Sequence, residues 1–257
     1  MPELPEVETL CRQLGTKISG AKIVSADVYD NKLSSVRNFK QGTVVDIDRQ
    51  GKTISINLTD GNSLLIHLRM TGRLLWQESA ERPKYSRWRM CFKKGNVFLV
   101  DPRRFATVRI IKTVREKIQN DFITGFEVKV FLATQARRNV NIKTLLMDPT
   151  AVAGIGNIYA CEILKSSAIS PLRKASTLSR PEWKRIFANA RSILKRGIEK
   201  RGTSISDWRD LYGHPGENQH ELTVYGRAKQ RCALCGETIS RIKQGGRSTF
   251  YCPGCQK

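Results

Sequence analysis

Four cysteines near one end constrain this chain most. Cys232 and Cys235 form one C-x2-C pair, Cys252 and Cys255 form a second, and 16 residues separate the pairs. Each pair presents two thiolates from one tight turn, so together they complete a tetrahedron around zinc. The intervening ETISRIKQGGRSTFY reads as a hairpin turning at Gly245-Gly246. Four thiolates leave no open coordination position, which makes the metal structural and not catalytic. Cys11, Cys91 and Cys161 are scattered and read as small buried apolar groups. An odd total of 7 cysteines, with MPELPEVETL at the N-terminus where a leader would be basic and apolar, argues against a secreted disulfide framework.

Charge narrows the partner. Lys and Arg number 45 against 23 acids, a net of +22. Solubility needs far less. Such an excess favours nucleic acid, through phosphate neutralisation and counterion release. Residues 226–257 hold seven basic residues and one acid, so the cysteine ribbon is expected on DNA, and residues 84–113 hold nine against one. There is no apolar run of the roughly 18–20 residues that a membrane span needs. A basic amphipathic helix with a strong apolar face is also absent, so a membrane surface is the weaker candidate. The expectation is a monomeric cytoplasmic protein.

Periodicity divides the chain. Leu4, Val7, Leu10 and Leu14 recur at helical spacing and predict a helix over 3–18. Between residues 20 and 115, short β-branched runs separated by turns such as Asp60-Gly61-Asn62 predict an antiparallel sandwich: KIVSADVYD, GTVVDIDRQ, KTISINLTD, NSLLIHLRM, RWRMCFKK, NVFLVDP and FATVRIIK. LATQARRNVNI reads as a linker or the start of a helix. Helical segments follow at about 142–148, 157–168 and 180–200, with 204–211 a further candidate, and YGHPGENQHE is a loop.

Three stretches carry possible chemistry. With Met1 removed, Pro2 becomes a secondary amine able to attack a sugar C1′ and form an iminium. A helix N-terminus disfavours its protonated form, Glu3 and Glu6 push the other way, and either carboxyl can act as acid or base. The ordinary reading of the same residues is a helix start with Pro and acids in place. In IKTLLMDPTAVAGIGN, Asn157 is placed to cap a helix whose free amides would bind phosphate, although most such helix pairs only pack. The loops HLRMTGR and DPRRF offer apolar wedges, Met70 and Phe105, and an arginine that can hold an orphaned base. Core burial is the ordinary expectation for both apolar residues.

Taken together these pieces resemble the formamidopyrimidine-DNA glycosylase family of bacterial repair enzymes. The likeness runs through MPELPEVET, RQGK, HLRMTGRL, DPRRF, LLMDPTAVAGIGNIYACEIL, PGENQHELTVYGR and RSTFYCPGCQK, in that order. It implies an α+β multidomain fold: an N-terminal helix plus antiparallel β-sandwich (1–124), a linker (125–140), a helix-two-turn-helix domain with a lesion loop (141–222) and a C-terminal zinc ribbon (223–257). It implies excision of oxidised purines from double-stranded DNA, then strand cleavage at the abasic site, on the nucleoid. One structural Zn2+ is implied, with no nucleotide or redox cofactor. The family's nucleophile falls on Pro2 and its proton donor on Glu3. Its β-elimination lysine falls on Lys52, and its δ-elimination arginine, also a phosphate contact, on Arg247. Met70, Arg103 and Phe105 match the residues that fill the void left by the extruded base. Lys143 and Asn157 match phosphate contacts, and Glu6 and Glu162 further acidic positions. The chain departs from the pattern between Gly125 and Lys143, which is short and reads GFEV. It departs again at KYSRWRM, where Tyr85 and Arg87 stand in for a DNA-contacting histidine. A sister family acting on oxidised pyrimidines and a non-catalytic zinc-ribbon DNA-binding protein are the alternatives. Retention of Met1 would favour the latter.

Overall fold

The computed structural model describes residues 1–37, 42–113 and 120–257. The chain forms two compact units, Met1–Glu116 with Ile198–Gln219, and Lys117–Gly197 with His220–Lys257.

The first unit opens with α1 (Leu4–Ile18). Its stripe of Leu4, Val7, Leu10, Leu14 and Ile18 is fully buried, as an amphipathic helix requires. Eight strands follow: β1 (Ile23–Val28), β2 (Val44–Gln50), β3 (Thr53–Leu58), β4 (Asn62–His67), β5 (Arg73–Gln77), β6 (Ser86–Phe92), β7 (Gly95–Val100) and β8 (Thr107–Lys112). They make two four-stranded antiparallel sheets, ordered β1-β6-β7-β5 and β2-β3-β4-β8. Ile54 and Ile56, Leu64 and Ile66, Trp88 and Met90, and Val97 and Leu99 alternate along their strands into one core shared with α1. Strand β5, which the sequence did not suggest, pairs with β7.

Residues 198–219 belong to this first unit, not to a continuous 141–222 block. Gln13 of α1 donates to Asp210 at 3.0 Å and accepts from Leu211 N–H at 2.9 Å, and Trp208 and Leu211 join the sandwich core. The helix expected at 204–211 does not form. The Ser204 hydroxyl and Asp210 carboxylate take backbone N–H groups of Gly216, Tyr212 and His214, a local alternative to helical pairing.

The second unit carries β9 (Asn120–Asp121), β10 (Gly125–Phe126), α2 (Val128–Thr134), α3 (Ile142–Leu146), α4 (Asn157–Ser166), α5 (Arg180–Glu199, its last two residues in the first unit), β11 (Ser240–Gln244) and β12 (Arg247–Tyr251). The expected linker at 125–140 is partly structured. Phe126 and Phe131 pack with Phe122, Trp183 and Phe187 at ring separations of 4.0 to 6.0 Å, so the segment is anchored by aromatic burial. Strands β11 and β12 form the expected hairpin. Gly245 and Gly246 have φ of +55° and +75°, the pair of left-handed residues that a type I′ turn needs.

Candidate active site and nucleic-acid interface

Pro2 is buried and sits just ahead of Glu3, the residue capping α1. Glu6 holds this start in place. Its Oε2 accepts Glu3 N–H at 2.7 Å, and its Oε1 accepts Thr203 N–H at 2.7 Å. Gly202, at φ +84°, lies so close that a Cβ would stand 2.7 Å from Glu6 Cγ. Both carboxylates are nearly fully buried, at 3% and 2% exposure. One turn further, Glu8 pairs with the buried Arg49 at 2.9 Å, and Arg49 donates to Gly51 C=O at 3.0 Å. The turn carrying Lys52 is thereby tied to α1.

The loops HLRMTGR and DPRRF are exposed at the positions where burial was the ordinary expectation. Met70 is 49% and Phe105 47% exposed. The Arg103 guanidinium lies 4.8 Å from the Phe105 ring centroid, within cation–π range. Gly72 is demanded by packing, since a Cβ there would stand 2.4 Å from Leu68 O and 2.8 Å from Ala106 Cβ.

Arg87, expected as a DNA contact, is not available for one. Its side chain is 3% exposed, with Nε donating to Asp30 at 2.6 Å and Nη1 to Asp101 at 3.3 Å and to Ala106 C=O at 2.7 Å. A guanidinium desolvated this far needs these partners, and they leave it inside the sandwich. Tyr85 is 53% exposed and remains the outward-facing member of the pair.

In the second unit, Lys143 and Arg247 line one cavity of about 300 Å³ with Gln244 and Gly245. Lys143 is 1% exposed and donates to Asn157 Oδ1 at 2.6 Å, while Asn157 Nδ2 donates to Ser248 C=O at 2.8 Å. Asn157 is therefore not the expected helix cap. Gly156 takes that place, and the amide links α3 and α4 to β12. Arg247 is exposed at the first position after the hairpin turn.

Cys232, Cys235, Cys252 and Cys255 converge, with all four sulfurs within 4.8 Å of one another. Cys232–Cys255 and Cys235–Cys252 sulfurs are 3.8 and 3.4 Å apart, near the ~3.8 Å edge of a tetrahedron with Zn–S bonds of about 2.3 Å. Burial pushes the Cys232 thiol up, but the N–H groups of Cys235 and Leu234 bring it down to about 6. The donor set fits one structural zinc. Cys161 of α4 packs against Cys232, Cys252 and Phe250, seating the ribbon on the helix.

The N-terminal-domain model of formamidopyrimidine-DNA glycosylase matches residues 1–108, the H2TH-domain model of the same enzyme 119–208, and a zinc finger found in FPG and IleRS 229–257. The formamidopyrimidine-DNA glycosylase of Pelotomaculum thermopropionicum is 38% identical, covering 100% of this chain and 99% of that protein. The chain belongs to the formamidopyrimidine-DNA glycosylase family. It is an enzyme of the DNA glycosylase and abasic-site lyase class. The Streptococcus mutans relative is also 38% identical over the whole of both chains. Among solved structures, Lactococcus lactis Fpg with abasic-site DNA has a TM-score of 0.90 at 32% identity, covering 99% of each chain. MutM with DNA containing carbocyclic 8-oxo-G has a TM-score of 0.90 at 32% identity, covering 100% of each.

Two residues escaped the sequence reading. His67 ends β4, pairs in register with Thr53 beside Lys52, and accepts Arg69 N–H at 3.1 Å. Burial, then Arg69 and Lys52, lower it from 6.5 to about 4, so the imidazole is neutral beside two cations. Its place in HLRMTGR was the available signal. Asp101 was passed over as the first letter of DPRRF. Glu162, matched only as a further acidic position, has a structural task. Its two oxygens accept four hydrogen bonds from Thr223, Val224 and Tyr225 at 2.6 to 3.0 Å, which clamps the segment entering the ribbon.

Proposed function

We propose that this enzyme removes oxidised purines (8-oxoguanine and formamidopyrimidines) from duplex DNA and cleaves the strand by β,δ-elimination through a Pro2 iminium. The observation that carries the proposal is the head of α1. Pro2 adjoins a buried carboxylate, Glu3, whose N–H is held by Glu6, and Glu6 is in turn held by the 202–203 loop. A nucleophile and an acid must be held this closely to act on one sugar.

The nitrogen becomes available when Met1 is removed. Its lone pair then attacks C1′, while the Glu3 acid protonates O4′ and the ring opens. The base leaves with the glycosidic electrons, and the C1′–N bond becomes an iminium. The iminium acidifies C2′–H, so loss of that proton expels the 3′ phosphate, and a second elimination expels the 5′ phosphate. We assign Lys52 to the first elimination and Arg247 to the second, where its permanent cation stabilises the departing phosphate and takes no proton. Met70, Arg103 and Phe105 fill the gap left by the flipped nucleotide, with Arg103 on the opposite cytosine. Lys143, Asn157, Tyr85 and Arg247 contact the DNA backbone. Among the described residues no helix is long and apolar enough to cross a membrane, and we place the enzyme in the cytoplasm.

Borohydride trapping on DNA carrying 8-oxoguanine opposite each base tests this directly. A covalent adduct at Pro2 is expected, and an N-terminal tag that blocks the amine should abolish it while leaving DNA binding intact. Glu3→Gln should slow base excision by about 10²–10⁴-fold and slow cleavage of preformed abasic sites less. An adduct mapped to Lys52, with the tagged protein fully active, would overturn the mechanism. Preference for oxidised pyrimidines would overturn the substrate assignment.

A further inference from the structure

Asp101 occupies the centre of an arrangement that the chemistry above does not use. Its side chain is fully buried. Oδ1 accepts the Thr71 hydroxyl at 2.6 Å and Arg103 N–H at 3.2 Å, while Oδ2 accepts Phe105 N–H at 2.7 Å, Ala106 N–H at 2.8 Å and Arg87 at 3.3 Å. One carboxylate therefore binds the backbone on both sides of the second wedge loop and, through Thr71, the first loop beside Met70. Burial alone would raise its pKa. The Ala106 N–H, the Thr71 hydroxyl and the Phe105 and Arg103 N–H groups more than offset that and hold it below the ordinary range.

Arg87 neutralises this carboxylate and anchors it. Its guanidinium bridges Asp101, Ala106 C=O and Asp30, and Asp30 in turn grips Arg104 at 2.5 and 2.9 Å. A cavity of about 340 Å³ lies against the group, with Tyr29, Tyr85 and Arg104 in its wall. The backbone around it is held in unusual conformations. Arg69, Tyr85 and Arg104 have φ of +57°, +65° and +57°, and Tyr85 C=O accepts Asp101 N–H at 3.1 Å. Left-handed non-glycine residues persist only where surrounding contacts over-determine them. Here Tyr85 and Arg104 border one buried ion group, and Arg69 lies two residues from Thr71, which joins that group through Asp101.

We propose that Thr71, Arg87 and Asp101 are positioning residues that set the mutual geometry of Met70, Arg103 and Phe105, and through it the discrimination of the base opposite the lesion. The proposal rests on the reading in which those three side chains fill the space of the flipped nucleotide. A network that only stabilised the fold would scale every activity by the fraction folded. A positioning network changes the ratio between substrates, because Arg103 must meet one base edge in a fixed geometry.

The test uses the full-length, zinc-loaded enzyme. Excision of 8-oxoguanine opposite cytosine and opposite adenine is measured beside cleavage of a preformed abasic site and the thermal midpoint. Thr71→Val removes a single hydrogen bond at a half-buried site and is the variant certain to separate folding from positioning. It should lower the cytosine-to-adenine ratio by about tenfold, short of the roughly 10²-fold that a misplacement of about 1 Å can cost, with abasic-site cleavage kept. Asp101→Asn should lower the ratio further. Arg87→Lys, which cannot reach three partners at once, should fall between wild type and Asp101→Asn. An unchanged ratio in Thr71→Val and Asp101→Asn, with Arg103→Ala altering it, overturns the proposal and leaves the wedge reading standing. An unchanged ratio in Arg103→Ala overturns the wedge reading and the proposal with it.

Discussion

In the loops at 68–72 and 101–106, the local bonds from Asp101 to the Arg103, Phe105 and Ala106 N–H groups are themselves anchored from far away in sequence. Asp30, Thr71, Arg87 and Asp101 meet through hydrogen bonds that span 14 to 57 residues. In the ribbon that carries Arg247, the restraint is local: two C-x2-C turns flank one hairpin, and a single ion closes the structure. Both regions hold exposed side chains on short turns. The first does so with a buried ion network that gains its strength from desolvation and complete pairing. The second does so with metal bonds that exist only when the ion is bound. The contrast teaches that the two should fail differently, one by losing geometry and the other by losing its fold.

Removing zinc is the harshest way to break the comparison. Structural zinc contributes an apparent ~10–16 kcal/mol in small zinc-finger peptides, so chelation or Cys235→Ser should unfold the ribbon and remove most DNA affinity. The sandwich, which has its own core, should stay folded. Metal content, DNA binding and thermal melting measured together check this. Tight DNA binding by metal-free protein would refute it.

Glu162→Gln asks whether the ribbon also depends on a buried carboxylate. Glutamine keeps the size but turns one acceptor into a donor facing N–H groups. Hydrogen bonds to a charged group are worth about 1.5–3 kcal/mol, and a loss of that order is expected in chemical denaturation. A change below about 0.5 kcal/mol would mean that the four bonds to residues 223–225 are replaceable, and the ribbon would then rest on its metal alone.

This contrast also explains what could be read from the chain. The ribbon was legible because its ligands, turn and strands are neighbours. The sandwich was legible from period-two alternation, and α1 from its apolar stripe. Arg87 looked like a surface cation because nothing within KYSRWRM reveals Asp30 and Asp101. Residues 204–211 were a further helix candidate, but Ser204 and Asp210 hydrogen-bond the local backbone instead. Strand β5 follows the wedge loop so closely that the loop motif masked it. The site residues themselves were legible only as motif positions; that Met70 lies outside the core is shown by its exposure.

A smaller effect separates charge from shape. Arg247→Ala should flatten the dependence of log affinity on log salt by about one unit, as expected for one lost phosphate contact. Met70→Ala should leave that slope unchanged while impairing excision from duplexes. Equal slopes for both variants would remove Arg247 from the phosphate-binding set.

The smallest effect probes how firmly the loop at 68–72 is held. His67 sits at its base, and burial with Arg69 and Lys52 lowers the imidazole to about 4 from 6.5. A loosely held loop would admit water, screen both cations and let the ring titrate normally. The sign follows from proton linkage. Between about pH 6.5 and 4 the unfolded chain binds a proton at His67 that the folded chain does not, so this residue contributes a loss of stability as pH falls through that window. Above it the imidazole is neutral in both states and contributes nothing. His67→Asn should therefore soften the acid side of the stability profile. Lys52→Ala, which takes away one of the two cations, should move the ring's midpoint upward. The chemical shift of the His67 ring followed from pH 3 to 8 measures both. A wild-type midpoint near 6.5 would show that the loop lacks the rigid, desolvated footing described above.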